Sequence, residues 1–149
     1  QPLVLAFSTA SSAAAYAQGT IDLVHKMGLP ENDVGLGFPM GMVCSKASDI
    51  FGRVIAVLFI AYQTGTPLGV SAWPAVALVA YTTALSVPPV AGGGIAVLPV
   101  LLSQFGLPTS SLPLLIILCI LTDNAMTVAN FLGAETIVYA QTVKKTKKA

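Results

Sequence analysis

The chain has 149 residues, of which 55% are apolar and 9% are charged, and its formal net charge is +1. Its mean hydropathy of +0.83 sets it apart from water-soluble domains, in which about a quarter of the residues are charged. The composition excludes an ordinary soluble protein and indicates an integral membrane protein in contact with a lipid bilayer. The only basic run, KKTKK at 144–148, is typical of a solvated tail beside lipid headgroups, so we expect no nucleic-acid partner.

The first 27 residues contain two short apolar arms around a polar tip. Residues 1–7 and 14–27 are apolar, and the tract STASS at 8–12 separates them. A helix needs about 20 residues to cross a bilayer, and both arms are shorter than that. A break in the helix at lipid depth is tolerated only where protein or water covers its backbone. We therefore predict a re-entrant hairpin over 1–27. Because no initiator Met or signal peptide begins it, we expect the chain to be a fragment.

The next apolar segment, 36–62, is long enough to cross a bilayer, yet it carries three charges. Lys46 and Asp49 are three residues apart, and Asp49 and Arg53 are four apart, so on a continuous helix the three side chains share a face. Charges at lipid depth are costly and usually functional. They predict either a self-compensated ion network or a functional site within this span.

A second interrupted apolar stretch follows at 70–105. Its arms, 70–86 and 94–105, flank the break SVPPVAGGG at 86–94, and each arm is too short to cross a bilayer. By the argument used for the first tract, residues 70–105 are predicted to form a second re-entrant hairpin. The glycines of the break permit close backbone approach and hinge motion, although ordinary loop glycines have the same pattern.

The last apolar segment, 111–143, is predicted to span the membrane as a helix. Asp123, Thr127 and Asn130 lie at i, i+4 and i+7, so an acid, a hydroxyl and an amide converge on one point of one helix face. We expect Asp123 to bind a ligand, because an aspartate at lipid depth is costly and usually functional. Thr127 and Asn130 either join it or hydrogen-bond across helices.

The distribution of basic residues orients these segments. The lysines of the tail and the loop 25–35, with His25 and Lys26, lie on one side, whereas 62–69 and 104–113 contain no Lys or Arg. The C-terminus is therefore predicted to be cytoplasmic, in a plasma or inner membrane. The predicted fold is an all-α membrane protein with two re-entrant helical hairpins and two transmembrane helices, whose tips meet near mid-bilayer. Facing helix ends of this kind bind carboxylates and cations in secondary transporters; helices that only kink within a bundle are the alternative.

Several short motifs, in their order and spacing, resemble the C-terminal half of the dicarboxylate/amino acid:cation symporter family, which is also the glutamate transporter family. They are AFSTASSAAA (6–15), KMGLPEN (26–32), FPMG (38–41), VPPVAGGG (87–94), FGLP (105–108) and DNAMTVANFLGAETIV (123–138). The resemblance implies a partial transport domain over 1–149, with 36–62 unwound in its middle, that moves elevator-fashion against a homotrimeric scaffold absent from this chain. It also implies a secondary active symporter of a small amino acid or dicarboxylate, and not an enzyme.

The resemblance assigns the substrate to the last helix. Asp123, Thr127 and Asn130 match positions that bind the amino group and the α-carboxylate of the substrate. Met126 stands where many members have an arginine that clamps an acidic side chain, and Ala10 stands at the alternative place for that arginine. A thioether cannot make a bidentate contact with a carboxylate. This departure favours a neutral amino acid over glutamate or aspartate.

The resemblance also implies roles for the two predicted tips in substrate binding. Ser11 and Ser12 match serines that hold a carboxylate at the first tip, with a plain Ser-rich turn as the alternative. Val90 and Gly94 match residues of a gate that closes over the substrate at the second tip.

The sodium sites of the family are the second departure. The signature Asn-Met-Asp-Gly-Thr aligns with 45–49, from Ser45 and Lys46 to Asp49, and a sodium-binding aspartate aligns with Ala134, beside Glu135. Two carboxylates are thereby lost and an ammonium is gained. A second cation about 4 Å from that ammonium is repelled by ~4 kcal/mol at an effective dielectric constant near 20. We expect no metal site and no cofactor, and a proton is favoured over Na⁺ as the co-transported ion.

Three hypotheses account for the inserted charges. In the first, Lys46 occupies a former sodium site as a tethered cation, and Asp49 or Glu135 carries a proton. In the second, Arg53 takes the role of the missing clamp, beside Asp49 in the substrate site. In the third, the charges only compensate one another in a carrier that has lost transport. The alternative function is a non-transporting sensor, or an anion-conducting or degenerate relative, that binds a ligand without accumulating it.

Overall fold

The computed structural model describes residues 1–146, and every regular element in that range is helical. The helices are α1 (Pro2–Thr9), α2 (Ser12–Ile21), α3 (Glu31–Cys44), α4 (Ala47–Gln63), α5 (Trp73–Leu85), α6 (Leu98–Gln104) and α7 (Leu112–Thr146). A π-helical turn lies at Asp22–Lys26, and 3-10 turns lie at Val70–Ala72, Gly93–Val97 and Thr109–Ser111. The predicted all-α class is confirmed, and residues 147–149 of the predicted tail lie outside the described residues.

Within the described range, one helix is long and apolar enough to cross a membrane. It contains most of α7 and extends over Thr109–Lys145, with a mean hydropathy of 1.9 in its most apolar part. The other predicted span, 36–62, is divided between α3, with 14 residues, and α4, with 17. At a rise of about 1.5 Å per residue, the two helices measure about 21 and about 26 Å. Each is shorter than the hydrocarbon core of a bilayer, which is about 30 Å thick. The interruption predicted within this segment is therefore present, and crossing of the membrane by the two helices together stays a prediction.

Ser45 and Lys46 separate α3 from α4. The Ser45 amide still donates to the carbonyl of Gly41 (2.7 Å) and closes the last turn of α3. At Lys46 the backbone leaves the helix, with φ −121° and ψ 21°, and its carbonyl accepts the first bond of α4 from the Ile50 amide (2.9 Å). On α7, Gly133 lies against this break, because a Cβ added there would overlap the Oγ of Ser45. The interruption is thus packed directly on the long helix.

The first helix pair turns within two residues. Ala10 adopts the left-handed conformation (φ 47°, ψ 35°), and the Oγ of Ser11 caps α2 by accepting from the Ala14 amide (3.2 Å). The pair packs on α3 and α7 through one apolar cluster. Its buried members are Ala6, Ala15, Leu23, Leu29, Val34, Phe38, Phe131, Ala134 and Val138.

A second apolar cluster joins α4, α5, α6 and the first part of α7. Its buried members are Val57, Ile60, Ala61, Val76, Leu98, Leu101, Leu102, Leu107 and Leu115. The long helix therefore takes part in both clusters, with its first turns in one and its later turns in the other. Its middle, around residues 119–130, is left to line a cavity.

Candidate functional site

A cavity of about 430 Å³ lies among the two helical tips, the first turns of α4 and the middle of α7. Most of the side chains that the sequence singled out line it, although they come from all parts of the chain. They are Ser12, Lys46, Asp49, Arg53, Val90, Gly94, Asp123, Met126, Thr127 and Asn130. The structure thus brings the predicted residues together, while their roles toward a ligand stay predictions.

Three predicted residues do not line the cavity. Ser11 belongs to the first tip, and its hydroxyl bonds to the second tip. Ser45 is buried at the helix break against Gly133. Glu135 is partly buried on α7, more than one turn beyond Asn130, the last residue of this helix that lines the cavity.

The two tips touch each other through one carbonyl group. The Oγ of Ser11 donates to the carbonyl oxygen of Pro89 at 3.3 Å, and the Ala13 amide donates to the same oxygen at 3.2 Å. Pro89 itself was not singled out from the sequence, because its role comes from a contact between segments about 78 residues apart. The bonds join the two tips, both of which line the cavity.

Asp123 is bonded to the second tip. Its Oδ2 accepts a hydrogen bond of 3.3 Å from the amide of Gly92, a residue in the left-handed conformation (φ 70°). Next to it, Gly93 has no room for a side chain, because a Cβ there would lie 2.8 Å from Val87 Cγ1. The turn therefore favours glycine at 92, and close packing favours it at 93, where the chain brings a backbone amide to the carboxylate.

Asn130 is partly occupied by a structural contact. Its Oδ1 lies 2.7 Å from the Ser48 hydroxyl oxygen and accepts from the Ser48 amide at 3.3 Å, and that hydroxyl is also 2.8 Å from the carbonyl oxygen of Met126. Of the two roles left open for Asn130, the bond across helices is present. Ser48 was missed from the sequence, although its place beside Asp49 in SKASD was the available signal.

The three charges of α4 separate into a pair and a single cation. Lys46 Nζ lies 3.7 Å from Asp49 Oδ2, and the two side chains are 6% and 20% exposed. Arg53 is also buried, and it forms no ion pair within 4.0 Å among the described residues. The predicted network of three is therefore one ion pair, with the guanidinium of Arg53 outside ion-pair distance on the cavity wall.

Apolar side chains supply the rest of the lining. Met126 fills the space beside Gly52, where a Cβ would overlap its Cε and lie 3.0 Å from its Sδ. The other apolar contributors include Ile55, Phe59, Leu98, Leu115 and Leu118. In ligand sites of this composition, the few polar groups fix the orientation of a small ligand, and the apolar side chains keep water away from it.

Comparison with known proteins identifies the kind of molecule to which this site belongs. The model of the sodium:dicarboxylate symporter family matches residues 1–145. A search among curated proteins finds no significant match. The family match confirms the resemblance seen in the motifs, and it supports symport of a dicarboxylate or amino acid by an integral membrane transporter rather than an enzyme. The chain belongs to the sodium:dicarboxylate symporter family.

Proposed function

We propose that this chain forms the substrate-carrying part of a secondary active symporter for a small amino acid or dicarboxylate, with a proton favoured over Na⁺ as the coupling ion. The observation that carries the proposal is the position of Lys46. Its ammonium is buried at the break between α3 and α4 and lines the same cavity as Asp123. A cation attached to the chain thus lies beside the candidate substrate site.

The substrate contacts come from α7 and the two tips. Asp123 receives the amino group, while Thr127, Asn130 and Ser12 of the first tip receive the α-carboxylate. Val90 and Gly94 belong to the tip that closes over the substrate. The position of these groups around one cavity supports this assignment.

Electrostatics favours the proton over sodium. The ion pair between Lys46 and Asp49 offsets the charge of a carboxylate that would otherwise attract a metal cation. At about 4 Å the ammonium would repel Na⁺ by ~4 kcal/mol at an effective dielectric constant near 20. Asp49 or Glu135 carries the proton in this proposal, and the variants Asp49→Asn and Glu135→Gln distinguish the two.

The helix lengths support re-entrant hairpins and an elevator movement. α1, α2, α5 and α6 have 8, 10, 13 and 7 residues, so at about 1.5 Å per residue none exceeds about 20 Å, whereas a hydrocarbon core measures about 30 Å. Each pair enters the bilayer and returns, and their tips meet at Pro89. Exposed apolar side chains such as Leu36, Met40 and Leu121 suit contact with lipid or with a trimeric scaffold. The C-terminus is cytoplasmic in this arrangement.

Uptake into proteoliposomes tests the proposal. The full-length protein that contains this chain is reconstituted, and uptake of radiolabelled amino acids and dicarboxylates is measured with an imposed pH gradient, with a sodium gradient, and with neither. We expect accumulation that follows the pH gradient in the absence of sodium. Uptake that requires sodium and ignores the pH gradient would contradict proton coupling. Binding without accumulation under any gradient would instead identify a sensor.

A further inference from the structure

Asn124 joins α7 to the first helix of the chain. Its Nδ2 donates a hydrogen bond to the carbonyl oxygen of Phe7, a residue 117 positions earlier. Phe7 lies in the last turn of α1, where backbone carbonyl groups lack their usual donor within the helix. In a segment predicted to enter the bilayer, a carbonyl group without a donor is costly, because lipid supplies none. The side-chain amide of Asn124 therefore satisfies a backbone group at the end of α1.

Asn124 and its neighbour Asp123 bind different tips. Asp123 Oδ2 accepts a hydrogen bond of 3.3 Å from the Gly92 amide of the second tip. Consecutive residues of an α-helix project about 100° apart around the axis, so the two side chains leave α7 in different directions. The helix before the first tip is thus attached to α7 at the residue next to the one that binds the second tip.

Apolar packing alone determines the position of α1 on α7 only weakly. The buried side chains of α1 are Pro2 and Ala6, which are both small. Apolar contacts have no preferred direction, so contacts of small side chains offer little resistance to a shift of α1 along α7. In α2, by contrast, Gly19 packs closely against Phe131. The hydrogen bond of Asn124 is directional, and it therefore fixes where α1 ends relative to α7.

Two residues that line the cavity follow Phe7 closely in the chain. They are Ala10, in the left-handed conformation (φ 47°), and Ser12, the first residue of α2. Because the chain turns between α1 and α2 within two residues, a displacement of Phe7 also displaces Ser12. The bond at Asn124 therefore helps to set the distance between Ser12 and Asp123, which lie on the same cavity.

We propose that Asn124 is a positioning residue for the substrate site. Its bond to Phe7 holds the first tip on α7 at the level of Asp123, and substrate affinity depends on this bond although Asn124 does not line the cavity. The inference rests on the proposed function, because it requires a substrate that contacts Ser12 and Asp123 together. Spacing on α7 gave no sign of this role, since the partner of Asn124 is a backbone group of a distant helix.

Calorimetry tests the effect on affinity. Binding of alanine and of aspartate to the full-length protein in detergent is measured for the wild type, Asn124→Leu and Asn124→Gln. Leucine is similar in size to asparagine but has no side-chain N–H group, so Asn124→Leu should weaken binding about tenfold without changing the number of sites per protein. Asn124→Gln keeps the donor and should stay within about threefold of the wild type. Asn124→Ala takes the place of Asn124→Leu if the latter does not fold.

A matched control uses another asparagine. Asn32 is exposed in the first turn of α3, outside the cavity. Asn32→Leu makes the same chemical change as Asn124→Leu and should leave both affinities as they are in the wild type.

Amide exchange of the ligand-free protein gives a second readout, which needs no substrate. In Asn124→Leu, exchange at the Ala13 amide, which donates to Pro89 from the first tip, should become at least about fivefold faster. Exchange at the Gly92 amide, which donates to Asp123, should stay within about twofold of the wild type. A general loss of stability would instead accelerate exchange at both amides.

Several results would overturn the role of Asn124. Unchanged affinities in Asn124→Leu would show that the first tip keeps its position without this bond. Fewer binding sites with unchanged affinity, or equal acceleration at Ala13 and Gly92, would show that Asn124 only stabilises the fold. Asn124→Gln as weak as Asn124→Leu would exclude the donated hydrogen bond as the cause. A wild-type protein that binds neither amino acid would contradict the proposed function, and the exchange pattern would still decide whether Asn124 holds the first tip.

Discussion

Ser48 and Asn130 are 82 residues apart in the sequence, and the hydroxyl oxygen of Ser48 lies 2.7 Å from the Oδ1 of Asn130. This bond joins the first turn of α4 to the middle of α7 on the wall of the cavity. The bond thereby fixes the position of α4 relative to α7, the helix that contains Asp123. The contact makes Asn130 a structural residue as well as a candidate ligand.

A double-mutant cycle should detect this bond. Ser48→Ala and Asn130→Ala are each expected to lower the free energy of unfolding by about 1 to 2 kcal/mol, and the double variant by clearly less than their sum, because both remove one interaction. Unfolding in detergent is the measurement. Thr136→Ala is the control, because among the described residues that exposed hydroxyl bonds only to the Leu132 carbonyl one turn earlier on the same helix. Strict additivity would show that the two side chains act separately.

A comparison of two helical glycines tests the first apolar cluster. A Cβ on Gly19 would lie 2.7 Å from Phe131 Cζ and 2.8 Å from Phe38 Cε1, whereas a Cβ on Gly35 would meet nothing within 4 Å. Gly19→Ala should therefore destabilise the protein by about 1 to 3 kcal/mol through overpacking. Gly35→Ala should stabilise it by up to about 1 kcal/mol through helix propensity. Thermal unfolding in detergent measures both, and equal effects of the two substitutions would contradict the observed packing.

The contact between the tips should respond to the loss of one hydroxyl. Ser11→Ala removes the cap of α2 and the bond to Pro89, so we expect a loss of about 1 kcal/mol in stability. Amide exchange at Ala13, which donates to the same carbonyl, should become faster. Ser8→Ala is the control, because within residues 1–146 the Ser8 hydroxyl bonds only to the carbonyl of Leu5. Unchanged exchange at Ala13 would mean that the backbone bond alone holds the tips together.

The stability contributed by the ion pair of Lys46 and Asp49 at the helix break should depend on both charges. Lys46→Met leaves Asp49 without its ion-pair partner, and we expect a loss of about 2 to 4 kcal/mol in stability. The double variant Lys46→Met, Asp49→Asn should recover most of this loss, because no unpaired charge then remains at that place. Unfolding and proton-driven uptake are measured together. Full stability with Lys46→Met alone would show that the pair contributes little.

Regular helix geometry explains what could be predicted from the sequence. Asp123, Thr127 and Asn130 line one cavity because an uninterrupted helix repeats every 3.6 residues, a property that spacing alone reveals. The broken elements were visible because runs of Gly, Pro and Ser divide apolar segments that are too short to cross a bilayer.

Contacts between distant segments were beyond such reasoning. Ser48 bonds to Asn130, and Ser11 bonds to Pro89, through packing that no local pattern encodes. The spacing of Asp49 and Arg53 permits an ion pair on one helix face, yet Asp49 pairs with Lys46. Which of two allowed partners a carboxylate takes depends on rotamers and on neighbouring helices, so the isolated Arg53 became visible only in three dimensions.

The buried ammonium of Lys46 also sets a limit on the energy available to the proposed carrier. An ion taken from solution crosses the membrane once in each cycle and releases about 2.3 kcal/mol for each 100 mV of membrane potential. A charge attached to the chain crosses and then returns, so over a complete cycle it performs no net electrical work. Each solution ion that such a charge replaces lowers the maximal accumulation ratio of the substrate by about 50-fold at 100 mV. A cell that uses this carrier would therefore obtain shallower substrate gradients at a smaller cost in ions.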